Sequence, residues 1–275
     1  MHDQANQLRE LVRRRLRPQA ADSAPPPRLL LVCGGKGGVG TTTVAVSLAI
    51  ALGRQGRRAV LVDADPRGGD AAALCGLAER YTLADVLAGR RTAAECLEPG
   101  PGGIGLLAGA WGLALARESP AGEQQRLIDQ LWQLHHEADF VVLDGGNGCD
   151  RFLGRFWQAA DAILLVTTPE PVAVMDAYAA IKLFAADGAT SDVHVLVNKA
   201  PGPAGAREVQ ARLAHACFRL LGLSVKDAGY LCVDERVGRA GGLAPPLVLA
   251  APRRLFCTQV ERVARLLAGE VVDSG

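Results

Sequence analysis

The chain has 275 residues, 49% hydrophobic but only 4% aromatic, so a full core is available and Ala, Leu and Val must fill it. Its net charge of +1 gives no electrostatic footprint for nucleic acid, and no nucleic-acid partner is expected. No apolar run reaches the ~20 residues of a membrane span. The seven cysteines are odd in number and lack CxxC spacing, which fits a reduced, cytoplasmic setting with most of them as small core residues.

In chain order, residues 3–17 read as a short amphipathic helix. Leu8, Leu11, Val12 and Leu16 share one face, and Arg9, Arg13, Arg14, Arg15 and Arg17 occupy much of the rest. No apolar signal core is present there, and Asp3 and Glu10 argue against a transit peptide. Residues 18–27 form a Pro- and Ala-rich linker, so the segment 1–17 is expected to be an appendage presented to a partner. The body spans 28–250. Apolar runs at 29–32, 59–62, 140–143 and 163–167 read as buried strands, with a fifth at 193–197 and a weaker sixth at 230–233. Helical patterns at 42–55, 123–136 and 172–184 lie between them, and the Gly-rich stretch 99–112 reads as loop around one short strand. This alternation implies an α/β fold, a single domain whose mostly parallel sheet is covered by helices on both faces. Residues 251–275 close the chain as an amphipathic helix and tail, with Phe256, Val260, Val263 and Leu267 on one face. That face suits either packing on the domain or contact with a membrane surface.

Three segments carry chemistry. Cys33-Gly34-Gly35-Lys36-Gly37-Gly38-Val39-Gly40-Thr41-Thr42-Thr43 follows the first strand and opens a helix. Glycines there let backbone N–H groups face phosphate oxygens, the helix N-terminus adds partial positive charge, and Thr42 sits where a hydroxyl holds Mg²⁺. The second strand ends in Asp63-Ala64-Asp65, and the third in Asp144-Gly145-Gly146-Asn147-Gly148. Carboxylates at the carboxyl edge of a sheet suit a metal ion and a positioned water. Asn198 ends the fifth strand, where Asn is also an ordinary cap.

Lys36-Gly37-Gly38-Val39-Gly40 resembles the deviant phosphate loop of the MinD/ParA ATPases. The resemblance implies ATP or ADP with Mg²⁺ as cofactors. Residues 35–43 (Gly35, Lys36, Gly37, Gly38, Val39, Gly40, Thr41, Thr42 and Thr43) would cradle the nucleotide, and Asn198 would read the adenine edge. Lys36 would reach across an ATP-dependent homodimer, Asp65 would orient the attacking water, and Thr42, Asp63 and Asp144 would serve the metal. Gly146 and Gly148 would let their loop sense the γ-phosphate. The sequence departs from the pattern at Thr41, where the family has a lysine contacting phosphates in cis. A charge-assisted hydrogen bond is worth about 1.5–3 kcal/mol, so its loss would weaken nucleotide affinity by about ten- to a hundred-fold. Hydrolysis would slow by about 10²–10³-fold. A slow switch and a pseudo-enzyme scaffold both fit this change. Lys36 and Arg67 are the cations that could compensate.

Further segments resemble the FlhG branch of that family, the flagellar-number regulators. Asp3-Gln4-Ala5-Asn6-Gln7-Leu8-Arg9 matches its DQAxxLR motif, Tyr81-Thr82-Leu83-Ala84-Asp85-Val86-Leu87 has a counterpart there, and so has Thr167-Thr168-Pro169-Glu170-Pro171 with Asp176-Ala177-Tyr178. The resemblance implies that Asp3, Gln4, Ala5, Leu8 and Arg9 act on the GTPase FlhF. It also implies flagellar basal-body or regulatory proteins as partners, with peripheral contact at the inner face of the cell membrane. A MinD- or ParA-type positioning or partitioning ATPase is the alternative within the family.

Overall fold

The first strand sorts its side chains between two cores. In the computed structural model, which describes residues 25–68, 70–109, 121–148, 151–186, 192–237 and 245–270, β1 (Arg28–Gly34) sends Leu29, Leu31 and Cys33 to one face and Leu30 and Val32 to the other. The chain continues through α1 (Thr41–Arg54), β2 (Ala59–Asp63), α2 (Ala71–Leu74), α3 (Leu83–Leu87), β3 (Glu98–Pro99), β4 (Gly105–Leu107), α4 (Ala121–Trp132) and β5 (Phe140–Asn147). Next come α5 (Arg151–Ala159), β6 (Ala162–Thr167), α6 (Pro171–Ala186), β7 (Asp192–Ala200), α7 (Pro203–Leu221), β8 (Lys226–Cys232), α8 (Leu247–Ala250) and α9 (Leu255–Ala268). The strands form one sheet in the order β3-β4-β2-β5-β1-β6-β7-β8, parallel throughout except for the β3–β4 pair. Side chains from α4, α5 and α7 cover one face and those from α1, α8 and α9 the other. The result is the two-sided, mostly parallel α/β domain that alternating apolar strands and helices imply.

Register brings the chemistry together. Pairing of β2 with β5 sets Asp63 beside Asp144, and pairing of β1 with β5 sets Gly34 beside Asn147. Gly34, Asp63 and Asn147 end their strands and Asp144 lies three residues before the end of β5, so all four sit toward the carboxyl edge, where open α/β sheets bind ligands.

Two expectations need refinement. The helix read at 123–136 ends at Trp132, after which Leu134–His136 tighten into a 3₁₀ turn. Of the two uses open to the apolar face of the last helix, the structure has it packed on the domain. Phe256, Val260, Val263 and Leu267 of α9 are all buried in the core beside α1, and Gln55 Nε2 donates to Glu261 O at 3.1 Å. The face suited to a membrane surface is therefore the one docked on the domain, and using it on a membrane would require α9 to leave. Among the described residues no helix is long and apolar enough to cross a membrane. The amphipathic helix at 3–17, with Asp3, Gln4, Ala5, Leu8 and Arg9, lies outside the described residues.

Candidate functional site

The loop after β1 is shaped by glycine. Gly38 and Gly40 have φ of 82° and 94°, a left-handed conformation that strains any residue with a Cβ. Gly40 caps α1 through its carbonyl, which accepts Val44 N–H at 3.0 Å, and no side chain caps the helix. The first N–H groups of α1 are thus left to a ligand. Gly35 is required for a different reason. A Cβ there would stand 2.6 Å from Ala177 N and closer still to the Asp176 carbonyl, so the loop is seated directly on the α6 backbone.

Beside this loop lies a cavity of about 410 Å³. Gly38, Gly40, Thr41, Thr42 and Thr43 line one wall, and Asp65, Asp70, Gly146 and Asn147 line the other. Behind it Asp63 and Asp144 are both fully buried. Asp63 Oδ1 and Oδ2 accept the N–H groups of Asp65 and Ala71 at 3.2 and 3.0 Å. Burial, then the neighbouring Asp144 charge, raises its pKa. Asp144 Oδ1 accepts Gly146 N–H at 3.0 Å, whereas its buried Oδ2 has no partner. Burial raises this carboxyl as well, opposed by the Thr42 hydroxyl. Two adjacent buried carboxylates, one with an orphaned oxygen and a threonine hydroxyl beside it, form an environment that asks for a cation. Among the described residues no group of three or more His, Cys, Asp or Glu side chains could hold a metal ion by itself. Such a site suits Mg²⁺, which keeps several waters and takes phosphate oxygens alongside few protein ligands.

The two acidic loops are interlocked. Asp65 Oδ1 accepts Arg67 N–H at 3.0 Å, and the Asp65 carboxyl fills the space where a side chain on Gly146 would go. Gly146 itself has φ of 61°. Arg67 Nη1 donates to Asn147 Oδ1, and Gly148 N–H donates to Gly34 O at 3.1 Å. Any displacement at Asn147 is therefore passed to the Arg67 loop and to the end of β1.

The structure gathers Gly37, Gly38, Val39, Gly40, Thr41, Thr42, Thr43, Asp63, Asp65 and Asp144 at one sheet edge. Lys36 turns outward, where its Nζ donates to Glu170 Oε2 at 3.0 Å. Asn198 lies beneath the loop, with Nδ2 donating to Val39 O at 2.8 Å and Oδ1 accepting Lys199 N–H at 2.8 Å. One amide hydrogen and one lone pair remain for another partner. Two contributors escaped the sequence reading. Asp70 stands alone before a four-residue helix and carries no motif. Lys199, whose Nζ donates to Gly38 O at 2.7 Å, is signalled only by following Asn198 at a strand end.

The ParA family, described as "NUBPL iron-transfer P-loop NTPase", matches residues 27–198. The "Antiactivator FleN" of Pseudomonas aeruginosa is 36% identical over 244 residues, covering 88% of this chain and 87% of the relative. The "Flagellum site-determining protein YlxH" of Helicobacter pylori is 24% identical over 273 residues, covering 98% and 92%. The septum site-determining protein MinD from Pyrococcus horikoshii, solved with Mg-ADP, superposes with a TM-score of 0.71 at 20% identity, covering 88% of this chain and 96% of that one. The chain belongs to the MinD/ParA family of P-loop NTPases, in its FlhG/FleN-like branch of flagellar regulators.

Proposed function

We propose that this chain is a nucleotide-gated switch that binds Mg²⁺ and adenine nucleotide in the cavity over the glycine loop and thereby regulates flagellar number or placement. The observation that carries this reading is the orphaned, buried Oδ2 of Asp144, on a carboxyl that the Thr42 hydroxyl meets at the N-terminus of α1, which no side chain caps. N–H groups of residues 37–43 would hold phosphate oxygens, while Thr42, Asp63 and Asp144 would hold Mg²⁺ directly or through water. Bound Mg²⁺ would neutralise phosphate charge. Asp65 would orient a water, and Asn198, with amide capacity left, would read a base edge. The MinD relative solved with Mg-ADP supports the choice of cofactor, and the flagellar names of the FleN and YlxH relatives support the biological role. Lys36 would exchange Glu170 for a partner subunit's nucleotide on dimerisation. The helix at 3–17 would stimulate FlhF through Gln4 and its neighbours.

Thr41 favours a second reading, a pseudo-enzyme that binds nucleotide without turning it over. Titration of Mg-ATP into purified protein, followed by hydrolysis assays with and without FlhF, separates the two. Uptake of Mg-ATP with turnover that Asp65→Ala abolishes supports the switch. Uptake with background turnover supports the scaffold, and no uptake ends both. A peptide of residues 1–17 should stimulate FlhF, and Gln4→Ala should weaken that effect. Equal stimulation by both peptides would remove Gln4 from the mechanism.

A further inference from the structure

Thr41 leaves the phosphate loop without a cis cation. Its side chain is only 6% exposed, and its Oγ1 would stand 2.8 Å from a Cβ on Gly34, so it folds back over the start of the loop. Of the two cations that the sequence offers as substitutes, Lys36 turns away to Glu170, and Arg67 is tied to Asn147 of the β5 loop and not to the phosphate loop.

Lys199 is bound to the loop itself. It has φ of 54°, and no other non-glycine among the described residues has a positive φ. That conformation costs a residue with a Cβ about 1–2 kcal/mol, so something must hold it. Asn198 does so with both ends of its amide, accepting Lys199 N–H at 2.8 Å and donating to Val39 O at 2.8 Å. The Lys199 ammonium then donates to Gly38 O at 2.7 Å. The strained backbone and the charged head are thus both anchored to two adjacent loop residues, one of which lines the cavity.

Resting on the reading that this cavity takes a nucleoside polyphosphate, we infer that Lys199 is a phosphate-binding residue that supplies from β7 the positive charge the loop lacks at Thr41. An ammonium has three donors on a flexible stem, and Gly38 uses one of them. Two remain for a phosphate oxygen or the water on it. Even without contact, a charge fixed on the loop acts on a polyphosphate well inside the ~10 Å screening length of ordinary buffer.

The test is calorimetric titration of Mg-ATP into the wild type and the variants K199R, K199N, T41K and T41K/K199N, with thermal unfolding of each protein. Asparagine tolerates the left-handed backbone, so K199N removes charge while sparing the turn. K199N should weaken Mg-ATP binding by about five- to ten-fold at an unchanged Tm, with K199R within about two-fold of wild type. In the T41K background, where the cis cation is restored, the same replacement should cost less than about two-fold. Equal losses in both backgrounds would show that Lys199 only braces the loop and would overturn the inference, as would wild-type affinity in K199N. The wild-type titration distinguishes these failures from that of the underlying reading, which falls if the unmodified protein takes up no Mg-ATP.

Discussion

The two ends of the sheet treat the same side chain in opposite ways. At the amino end, Asp139 accepts Arg58 N–H at 2.9 Å and Arg58 Nη2 at 2.6 Å, and Asp161 accepts Leu29 N–H at 2.9 Å. Hydrogen bonds from Arg58 hold the Asp139 carboxyl below its usual range. At the carboxyl end, Asp63 and Asp144 are more deeply buried, face each other in register, and are both raised. Aspartates at the first end complete the fold. Those at the second are buried side by side at a cost in folding energy, and a costly burial of this kind marks a candidate site rather than a scaffold.

Asp144→Asn should break this contrast most sharply. Mg-ATP affinity is expected to fall by more than about a hundred-fold, because a carboxylate facing the metal is lost. The unliganded protein should at the same time gain about 1 kcal/mol, since the substitution removes a buried like-charge pair. A raised folded-state carboxyl means that the native state binds more protons than the unfolded chain above the ordinary carboxylate range. Unliganded wild type should therefore lose stability from about pH 4, the ordinary carboxylate value, to about pH 8, and the variant should lose less. Thermal melts across that range check this. Parallel pH profiles for the two proteins would show that Asp144 is not under the stress described.

Gly146→Ala should come next. At φ of 61° and with the Asp65 carboxyl in the path of any Cβ, alanine must displace either the β5 loop or Asp65. A cost of about 2 kcal/mol in stability is expected. Turnover, if the wild type shows any, should fall further than binding, because either displacement moves the Asp65 carboxyl relative to the β5 loop. At the other end, Asp161→Ala should cost about 1 kcal/mol by leaving Leu29 N–H without its acceptor, with Mg-ATP affinity unchanged. An affinity change in Asp161→Ala would mean that the two ends are coupled through β1.

The sequence made the frame of this fold legible because strands buried on both faces need continuous apolar runs. β1, β2, β5 and β6 all announce themselves in this way, and the glycine loop and Asp63 mark where β1 and β2 end. β3 is two residues, Glu98 and Pro99, in a Gly-rich stretch, and nothing in its composition distinguishes it from loop. β5 runs to Asn147, beyond the apolar run that ends at Leu143, because its pairing with β1 continues through residues whose role is the site. The apolar face of α9 was legible, but its docking was not, since a stripe suited to a core also suits a membrane. Lys199 was hidden for a simpler reason. Its role depends on a left-handed turn and a partner 161 residues away, and neither leaves a periodic trace.

The smallest expected effect concerns Lys36, which the two ends of the sheet do not explain. Its ion pair with Glu170 is solvent-facing, with side chains 39% and 67% exposed. Exposed pairs of this kind contribute about 0–1 kcal/mol, so Glu170→Gln should shift Tm by no more than about 1–2 °C. Its consequence for assembly should be larger than for folding. On the proposed sandwich dimer, Lys36 would have to leave Glu170 to reach the second subunit's nucleotide, and removing that competitor lowers the cost of leaving. ATP-dependent dimerisation should accordingly strengthen by about two-fold, which is about 0.4 kcal/mol and falls in the lower half of the pair's worth in water. Raising the salt concentration should erase the difference between wild type and Glu170→Gln, because screening weakens the pair in the wild type alone. Sedimentation in Mg-ATP at two ionic strengths reads both quantities. A dimer that is weaker in Glu170→Gln would reverse the argument, since Glu170 would then be holding Lys36 in place for the partner rather than away from it.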